Sequence, residues 1–382
     1  MANSKSEKPT LTYKNRNLFD VLSEDEIKRA YDYADGYKAF LNAGKTEREC
    51  VAEAIRQAEA AGFVPLGAGD YKAGDKVYKS IGGKALILAV VGKRPLADGA
   101  NIAGAHVDSP RLDLKQLPLY EDGEMSLFKT HYYGGIKKYQ WVTLPLALHG
   151  VVAKLDGSVV NVTIGEADDE PVFFVSDLLP HLGRDQNKKT LGEAFTGEHL
   201  NILIGTRPSG GEKDSDRFKT TVLEFLNGKY GITEEDFLSA ELEAVPQGRA
   251  RDAGFDRSLV LAYGHDDRSC TYAELRAILE LKTPEKTAIC ILTDKEEIGS
   301  EGVTGSKSTA FESFVQELTG GLCFVSKVFE NSFCISADVC NAFDPNYPEV
   351  SEKNNAARVN HGVGIMKFTG SGGKSGSSDA SA

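Results

Sequence analysis

The sequence has no apolar stretch long enough to cross a bilayer. Its longest apolar run, 85–91, is far shorter than the roughly 20 residues that a spanning helix needs, and it suits a buried strand. The start, Met1–Thr10, is polar, and no apolar segment that could act as a signal peptide follows it. We therefore expect a cytoplasmic protein with no membrane role.

Cysteine is scarce, and none of the six cysteines forms a Cys-x-x-Cys pair. Most lie in apolar runs, as Cys290 does in Ala-Ile-Cys-Ile-Leu, which predicts reduced core thiols rather than a zinc ribbon or a disulfide scaffold. Basic residues are also few, because 44 Lys and Arg face 56 Asp and Glu. The resulting net charge of −12 repels phosphate backbones, so nucleic acid is not an expected partner.

What the sequence does contain is the pattern of an α/β protein. Its 382 residues exceed what one hydrophobic core usually serves, so two structural units are expected. Capping-box patterns at Ser23 and Thr46 predict two opening helices, and a later helix is predicted over Ser269–Leu281. Continuous apolar segments predict strands that are buried on both faces at 85–91 and 100–106, and further buried strands at 287–293 and 333–337.

The middle of the chain has a different pattern. Residues 132–166 are strand formers, and the Asp156-Gly157 pair between two apolar runs predicts a β-hairpin and hence an antiparallel sheet. The simplest organisation is an α/β domain, residues 1–108 plus 250–382, interrupted by an inserted β-rich domain, residues 109–249.

Two motifs combine histidine and aspartate. In the extended segment around His106, residues two apart share a face, so Asp108 could orient the imidazole while the other ring nitrogen binds a metal. A surface polar pair is the alternative. Asp266 stands just before a predicted helix, where it is either a helix cap or a carboxylate with two oxygens free to bridge two cations.

Two further motifs place acids after apolar strands. Glu296 and Glu297 follow the strand that ends near Thr293, and ligands gather at strand ends in open α/β sheets. One glutamate could bind metal while its neighbour accepts a proton, although an exposed acidic loop is the alternative. Asp338 ends another apolar strand and is either a ligand or a turn residue.

Taken together, the four junctions offer nitrogen and oxygen ligands suited to Zn²⁺, Co²⁺ or Mn²⁺. The segments AHVDSP, GHDDRSC, DKEEIGSEG and ISADVCNAFDPNYP, in this order, resemble the metal-binding motifs of the aspartyl aminopeptidase family, which includes vacuolar aminopeptidase. The similarity runs from the opening helices to the last residue.

The resemblance implies a role for each motif residue. It implies two divalent metal ions, most simply zinc, with His106 on one ion, Asp266 bridging both, and Glu297 and Asp338 as terminal ligands. Glu296 would be the general base, and Asp108 would orient His106. One departure is Asp267, where many members of the family carry Asn.

The resemblance also implies an α/β metallopeptidase fold with an inserted β-rich dimerisation domain. Members of the family assemble as dimers that build a dodecamer, and the inserted domain lends a histidine to the neighbouring site, for which His181 is the candidate. Lys367 resembles a lysine near the substrate side chain, which implies a preference for acidic N-terminal residues.

The sequence thus predicts a metallo-aminopeptidase that acts on peptides with free N-termini. A related dinuclear carboxypeptidase or deacylase and a non-catalytic scaffold are the alternatives. Ser378–Ala382 resembles the start of a helix, and one metal still needs a terminal ligand. We therefore expect the native chain to run on and to supply a further histidine.

Overall fold

The computed structural model of the chain describes residues 11–368 and Ser377. They belong to two compact units, Tyr37–Asp338 and a second unit formed by the chain before Tyr37 and after Asp338. In the second unit, the backbone N–H of Leu18 donates to the carbonyl of Asn360 at 2.6 Å. Among the described residues, no helix combines the length and apolarity that crossing a membrane requires.

The secondary structure alternates between helices and strands at both ends and is strand-rich in the middle. The α-helices are α1 (Glu24–Ala43), α2 (Glu47–Ala60), α3 (Leu191–Ala194), α4 (Arg217–Tyr230), α5 (His265–Glu280), α6 (Ala310–Leu318) and α7 (Val325–Glu330). The strands are β1 (Val64–Pro65), β2 (Lys76–Ile81), β3 (Ala85–Val90), β4 (Asn101–His106), β5 (Arg111–Asp122), β6 (Met125–Tyr133), β7 (Leu146–Ala153), β8 (Val159–Ile164), β9 (Ile202–Gly205), β10 (Ala240–Pro246), β11 (Arg251–Ala253), β12 (Leu259–Leu261), β13 (Ala288–Thr293) and β14 (Phe333–Ser336). Short 3-10 helices cover Leu18–Asp20, Leu96–Asp98, Lys138–Gln140, Gln186–Lys188, Gly197–His199, Glu235–Ser239, Glu296–Ile298 and Pro348–Val350.

The first sheet has the strand order β1-β2-β3-β13-β4-β14. Strands β13 and β14 both pair in parallel with β4, so these three strands end at the same edge of the sheet. Leu86 and Leu88 of β3 pack in a core with α1, α2 and α5, whereas Ile87 and Ala89 pack in a second core with α6 and α7. The expectation that β3 is buried on both faces is therefore confirmed.

Strand β14 differs from its prediction. We expected a buried strand over 333–337, but all four residues of β14 are exposed. The physical reason is its position, because β14 is an edge strand that pairs only with β4 in the part of the chain described. The expectation of core thiols is likewise only partly correct, since Cys50 and Cys290 are buried whereas Cys334 and Cys340 are exposed.

The second sheet is formed by strands between Arg111 and Pro246, in the order β8-β7-β10-β5-β6-β9. All of its strand pairs are antiparallel. The predicted hairpin is present as β7 and β8, and Gly157 in its turn has a φ of 83°. Leu226 of α4 packs in the core of this sheet. The domain boundaries near residues 108 and 250 stay a prediction.

Candidate metal centre

The parallel strands bring acidic side chains and one histidine to a single edge of the first sheet. Strand β4 ends at His106, and the 3-10 helix Glu296–Ile298 follows β13. Strand β14 ends at Ser336, shortly before Asp338, and the first turn of α5 contains Asp266. Carboxyl ends of parallel strands are where open α/β sheets bind ligands, so this edge is the candidate site.

His106 is the buried centre of this group, with 3% of its side chain exposed. Its Nδ1 lies 3.0 Å from the carbonyl oxygen and 3.3 Å from Oδ1 of Asp108. Its Nε2 lies 3.2 Å from Oδ1 of Asp266 and 3.7 Å from Oε2 of Glu296. Burial lowers the pKa of His106, but the contacts with the carboxyl groups of Asp108 and Asp266 outweigh burial and raise it to about 11. The carboxylates of Asp266 and Glu296 place negative charge beside Nε2, which a bound cation would compensate.

Two consecutive aspartates lie beside His106, and the peptide bond between them is cis. Asp266 has a half-exposed carboxylate, and its carbonyl oxygen accepts a hydrogen bond from Ser109 Oγ at 2.6 Å. Asp267 is buried, and its Oδ2 accepts from the backbone N–H of His106 at 3.4 Å. Burial raises the pKa of Asp267 to about 7.

The two glutamates are held by the buried carboxylate of Asp108. Its two oxygens each accept one backbone N–H, from Glu296 and from Glu297, both at 3.2 Å. Glu297 Oε1 is buried and has no hydrogen-bond partner among the described residues, and burial raises the pKa of Glu297 to about 7. Glu296 is 46% exposed, and burial of the rest of its side chain raises its pKa.

The group fits a divalent metal ion. One potential ligand atom each of His106, Asp267 and Asp338 lies within 4.8 Å of the other two. An imidazole nitrogen with several carboxylates is a ligand set that zinc accepts. The unpaired Oε1 of Glu297 and the excess of carboxylates over cations are what a bound cation would compensate.

The structure brings most of the predicted site residues together, namely His106, Asp108, Asp266, Glu296, Glu297 and Asp338. His181 lies in a turn between β8 and α3 and is exposed. Lys367 belongs to the second compact unit, where its Nζ lies 5.5 Å from the centre of the Phe368 ring. The substrate-binding roles of His181 and Lys367 stay predictions.

Two residues at this site were not assigned a contact from the sequence. From the resemblance, Asp267 is only a departure from the Asn that many members of the family carry, although two adjacent aspartates before a helix are a visible signal. Tyr133 donates from its hydroxyl to Oδ2 of Asp108 at 2.7 Å. No sequence signal indicated Tyr133, because it comes from the middle of the chain and from a different sheet than His106.

The chain is similar to proteins of one peptidase family. Residues 40–382 match the family model described as Aminopeptidase I zinc metalloprotease (M18). A probable M18 family aminopeptidase 1 of Clostridium acetobutylicum is 50% identical over 376 residues, which cover 96% of this chain and 81% of that protein. The crystal structure of aminopeptidase I from Clostridium acetobutylicum is 48% identical with a TM-score of 0.90, over 97% of this chain and 82% of that one.

A more distant neighbour shares the fold. The S. cerevisiae mApe1 dodecamer is 20% identical with a TM-score of 0.70, over 86% of this chain and 76% of that one. The predicted α/β metallopeptidase fold and the resemblance carried by the four motifs are confirmed by these matches. The chain belongs to the Aminopeptidase I zinc metalloprotease family, and it is a metal-dependent aminopeptidase.

Proposed function

We propose that the chain cuts the N-terminal peptide bond at a centre of two zinc ions, with His106, Asp266, Glu297 and Asp338 as ligands and Glu296 as general base. The observation that carries this proposal is the approach of Asp266 and Glu296 to Nε2 of His106, at 3.2 Å and 3.7 Å. Asp266 is assigned as the shared ligand because its carboxylate is half-exposed and offers two oxygens.

Zinc in such a site supplies a water of lowered pKa and polarises the scissile carbonyl. Glu296 takes a proton from the attacking water and returns it to the leaving amine, for which its partial exposure and raised pKa are suited. Asp108 occupies Nδ1 of His106 and thereby leaves Nε2 as the nitrogen that faces the metal.

Asp267 is the rival of Asp266 for the metal. It is one of the three groups whose ligand atoms lie within 4.8 Å of one another. However, its Oδ2 already accepts the backbone N–H of His106, and its side chain is fully buried. We therefore assign Asp267 to supporting the end of β4, with Asp266 as the bridging ligand.

The proposed substrates are peptides with a free α-amino group, because such an amine would be a further ligand for the metal held by these residues and would thereby select N-termini. A preference for acidic N-terminal residues is proposed from Lys367, whose ammonium group would pair with a substrate carboxylate. Kinetics on Glu and Leu substrates, in the wild type and in Lys367→Ala, test the preference. A strong Leu preference that Lys367→Ala leaves unchanged would refute it.

A homo-oligomer of dimers that assemble into a dodecamer is also proposed. Large apolar side chains are exposed on both sides of His181, with Leu178 at 52%, Leu179 at 65% and Leu182 at 69% exposure. Exposed apolar patches are typical of protein interfaces, and the segment belongs to the proposed inserted domain. Light scattering of the purified protein tests the assembly, and the activity of His181→Ala tests whether this histidine serves a neighbouring site.

Cytoplasmic location is proposed from the cysteines. All six are free thiols, two of them exposed, which suits a reducing compartment. Fractionation of the native cells tests this.

The central test combines metal analysis with substrate choice. We expect two zinc ions per chain and turnover of aminoacyl substrates with free, but not acetylated, N-termini. One tightly held ion at full activity would overturn the two-ion centre. Efficient cleavage of acetylated substrates would instead favour a related deacylase or carboxypeptidase.

A further inference from the structure

Tyr133 makes the shortest contact to the carboxylate that organises the metal centre. Its hydroxyl donates to Oδ2 of Asp108 at 2.7 Å, and both side chains are buried. The same Oδ2 accepts the backbone N–H of Glu297 at 3.2 Å. The orientation of the Asp108 carboxylate therefore depends on Tyr133 as well as on the metal-centre residues.

Asp108 connects two parts of the centre. Oδ1 lies 3.3 Å from Nδ1 of His106 and accepts the backbone N–H of Glu296 at 3.2 Å. A rotation of this carboxylate would change the support of the imidazole and of the glutamate loop together. A donor that fixes the rotation of the Asp108 carboxylate thus acts on both the imidazole of His106 and the glutamate loop.

Tyr133 is itself held firmly by the second sheet. It is paired with Arg111 across strands β5 and β6, and the guanidinium carbon lies 3.8 Å from the centre of its ring. Arg111 is in turn paired with Asp113 at 2.8 Å and with Glu243 at 3.2 Å. These ion pairs limit the movement of the ring, so the hydroxyl is presented to Asp108 in one position.

The residue after Tyr133 continues the contact with the centre. Gly134 has a φ of 74°, and a Cβ at this position would lie 3.2 Å from Cβ of Glu297. The end of β6 therefore lies directly against the glutamate loop. The neighbour on the other side, Tyr132, is 41% exposed, and its ring stacks on His131. Tyr132 is thus a matched control that has the same side chain without the contact to Asp108.

We propose that Tyr133 is a positioning residue of the metal centre, whose hydroxyl fixes the Asp108 carboxylate and through it His106 and the loop of Glu296 and Glu297. The proposal rests on the proposed function, because it takes His106 as a zinc ligand. It assigns to the second sheet a part in zinc binding, in addition to any part in assembly.

The experiment compares Tyr133→Phe with Tyr132→Phe. Zinc affinity is measured by competition with a chromophoric chelator, and kcat and KM are measured with an aminoacyl substrate. Removal of a group that supports a metal ligand typically weakens metal binding by about 10–100-fold. We expect a loss in this range for Tyr133→Phe, with a lower kcat and a KM within about twofold, and wild-type values for Tyr132→Phe. Zinc affinity and kcat of Tyr133→Phe both within about twofold of wild type would overturn the proposal.

A double-mutant cycle shows whether Tyr133 acts through Asp108. Zinc affinity of Asp108→Ala with Tyr133→Phe should equal that of Asp108→Ala alone, because alanine leaves the Tyr133 hydroxyl no side-chain acceptor at this position. If the double variant binds zinc more weakly by the product of the two single-variant factors, Tyr133 acts independently of Asp108. That result would overturn the proposal. So would a changed circular dichroism spectrum of metal-free Tyr133→Phe, since the loss would then reflect the fold. His106→Ala tests the proposed function separately from the role of Tyr133. If this substitution leaves zinc affinity unchanged, the proposed metal centre itself is wrong.

Discussion

Two regions of the unit Tyr37–Asp338 contain buried carboxylates in contrasting surroundings. At the metal centre, Asp267 and Glu297 have other acids as neighbours, and His106 is the nearby cationic group. Burial is the largest cause that raises the pKa of both carboxyl groups to about 7. A positive charge would stabilise the ionised form of these two carboxyl groups. The described side chains around them supply too little positive charge.

The second region lies where α2 meets the second sheet. Glu47 is completely buried, but Lys84 lies 3.1 Å from it and Arg111 3.3 Å. Burial raises the pKa of Glu47, yet the charges of Arg111 and Lys84 outweigh burial and leave it lowered. Glu49, nearby on α2, is paired with His149 at 2.8 Å, and its pKa is lowered as well.

For Glu47 and Glu49 on one side and Asp267 and Glu297 on the other, the difference separates scaffold from site, whereas burial and the charge of Glu47 raise the pKa of Glu243 in the second region. Carboxylates that are provided with their own cations stabilise the native fold, because removal of either partner leaves a buried charge alone. Carboxylates gathered without enough cations disfavour the fold unless an ion binds, which is the arrangement expected of a metal centre.

The largest effect is expected at the general base. Glu296→Gln should lower kcat by about 10²–10⁴-fold while leaving the zinc content unchanged, because the amide cannot accept the proton. Steady-state kinetics and metal analysis check this. Glu301→Gln is the control, since Glu301 is exposed in the same loop and pairs with Lys307. Near-normal kcat in Glu296→Gln would refute the assignment.

The next effect distinguishes two neighbours. Asp266→Asn should weaken zinc binding by more than about 100-fold, because a bridging ligand loses its charge and one oxygen. Asp267→Asn should weaken it by less than about tenfold, since the amide oxygen can still accept the N–H of His106. Metal titration of both variants decides the matter. The reverse order would make Asp267 the ligand and Asp266 the support.

We call the second region the paired region, because Glu47 and Glu49 each contact a cationic side chain there. Loss of one of these cations should lower the stability of the fold. Arg111→Met removes a main partner of buried Glu47 and should lower the free energy of unfolding by about 3–5 kcal/mol. Urea unfolding with a chelator present measures this without a contribution from zinc. Arg56→Met is the control, because Arg56 pairs with Glu53 at an exposed position and should change stability by about 1 kcal/mol or less. Equal effects of the two substitutions would contradict the distinction.

The sequence predicted which side chains gather at this edge of the first sheet, because these residues follow local patterns. His106 and Glu296 come at ends of apolar strands, and parallel pairing of β4 and β13 brings such ends together. Capping boxes marked the start of α2 at Thr46, where the predicted bonds with Glu49 are present. These features need only a few consecutive residues to be recognised.

The sequence could not predict contacts between the second sheet and the other elements of the unit. Tyr133 meets Asp108 across 25 residues, and Glu49 meets His149 across 100. Neither pair has a spacing that local geometry would dictate. The exposure of β14 was also missed, because an apolar run does not reveal whether its strand lies at the centre or the edge of a sheet.

A further effect concerns pH and the network around His149. This buried imidazole lies 2.8 Å from Glu49 and 3.2 Å from Glu166, and Lys45 lies 3.6 Å from Glu166. Burial lowers the pKa of His149, but hydrogen bonds with Glu166 and Glu49 outweigh it and raise it to about 9. The pKa of both glutamates is lowered, with burial opposing and the hydrogen bond to His149 lowering it.

The raised pKa of His149 fixes the sign of the pH dependence. A histidine whose pKa is higher in the folded than in the unfolded chain stabilises the fold fully below about pH 6.5, its unfolded value. The contribution is lost as pH rises through about 9. The stability difference between wild type and His149→Gln should therefore shrink by about 3 kcal/mol from about pH 6 to about pH 10. Urea unfolding of the metal-free proteins measures it, with His199→Gln as the control because His199 is exposed and contacts Thr196. A difference that stays constant over this range would mean that His149 is neutral in the native protein, and that the paired region does not supply its own cation there.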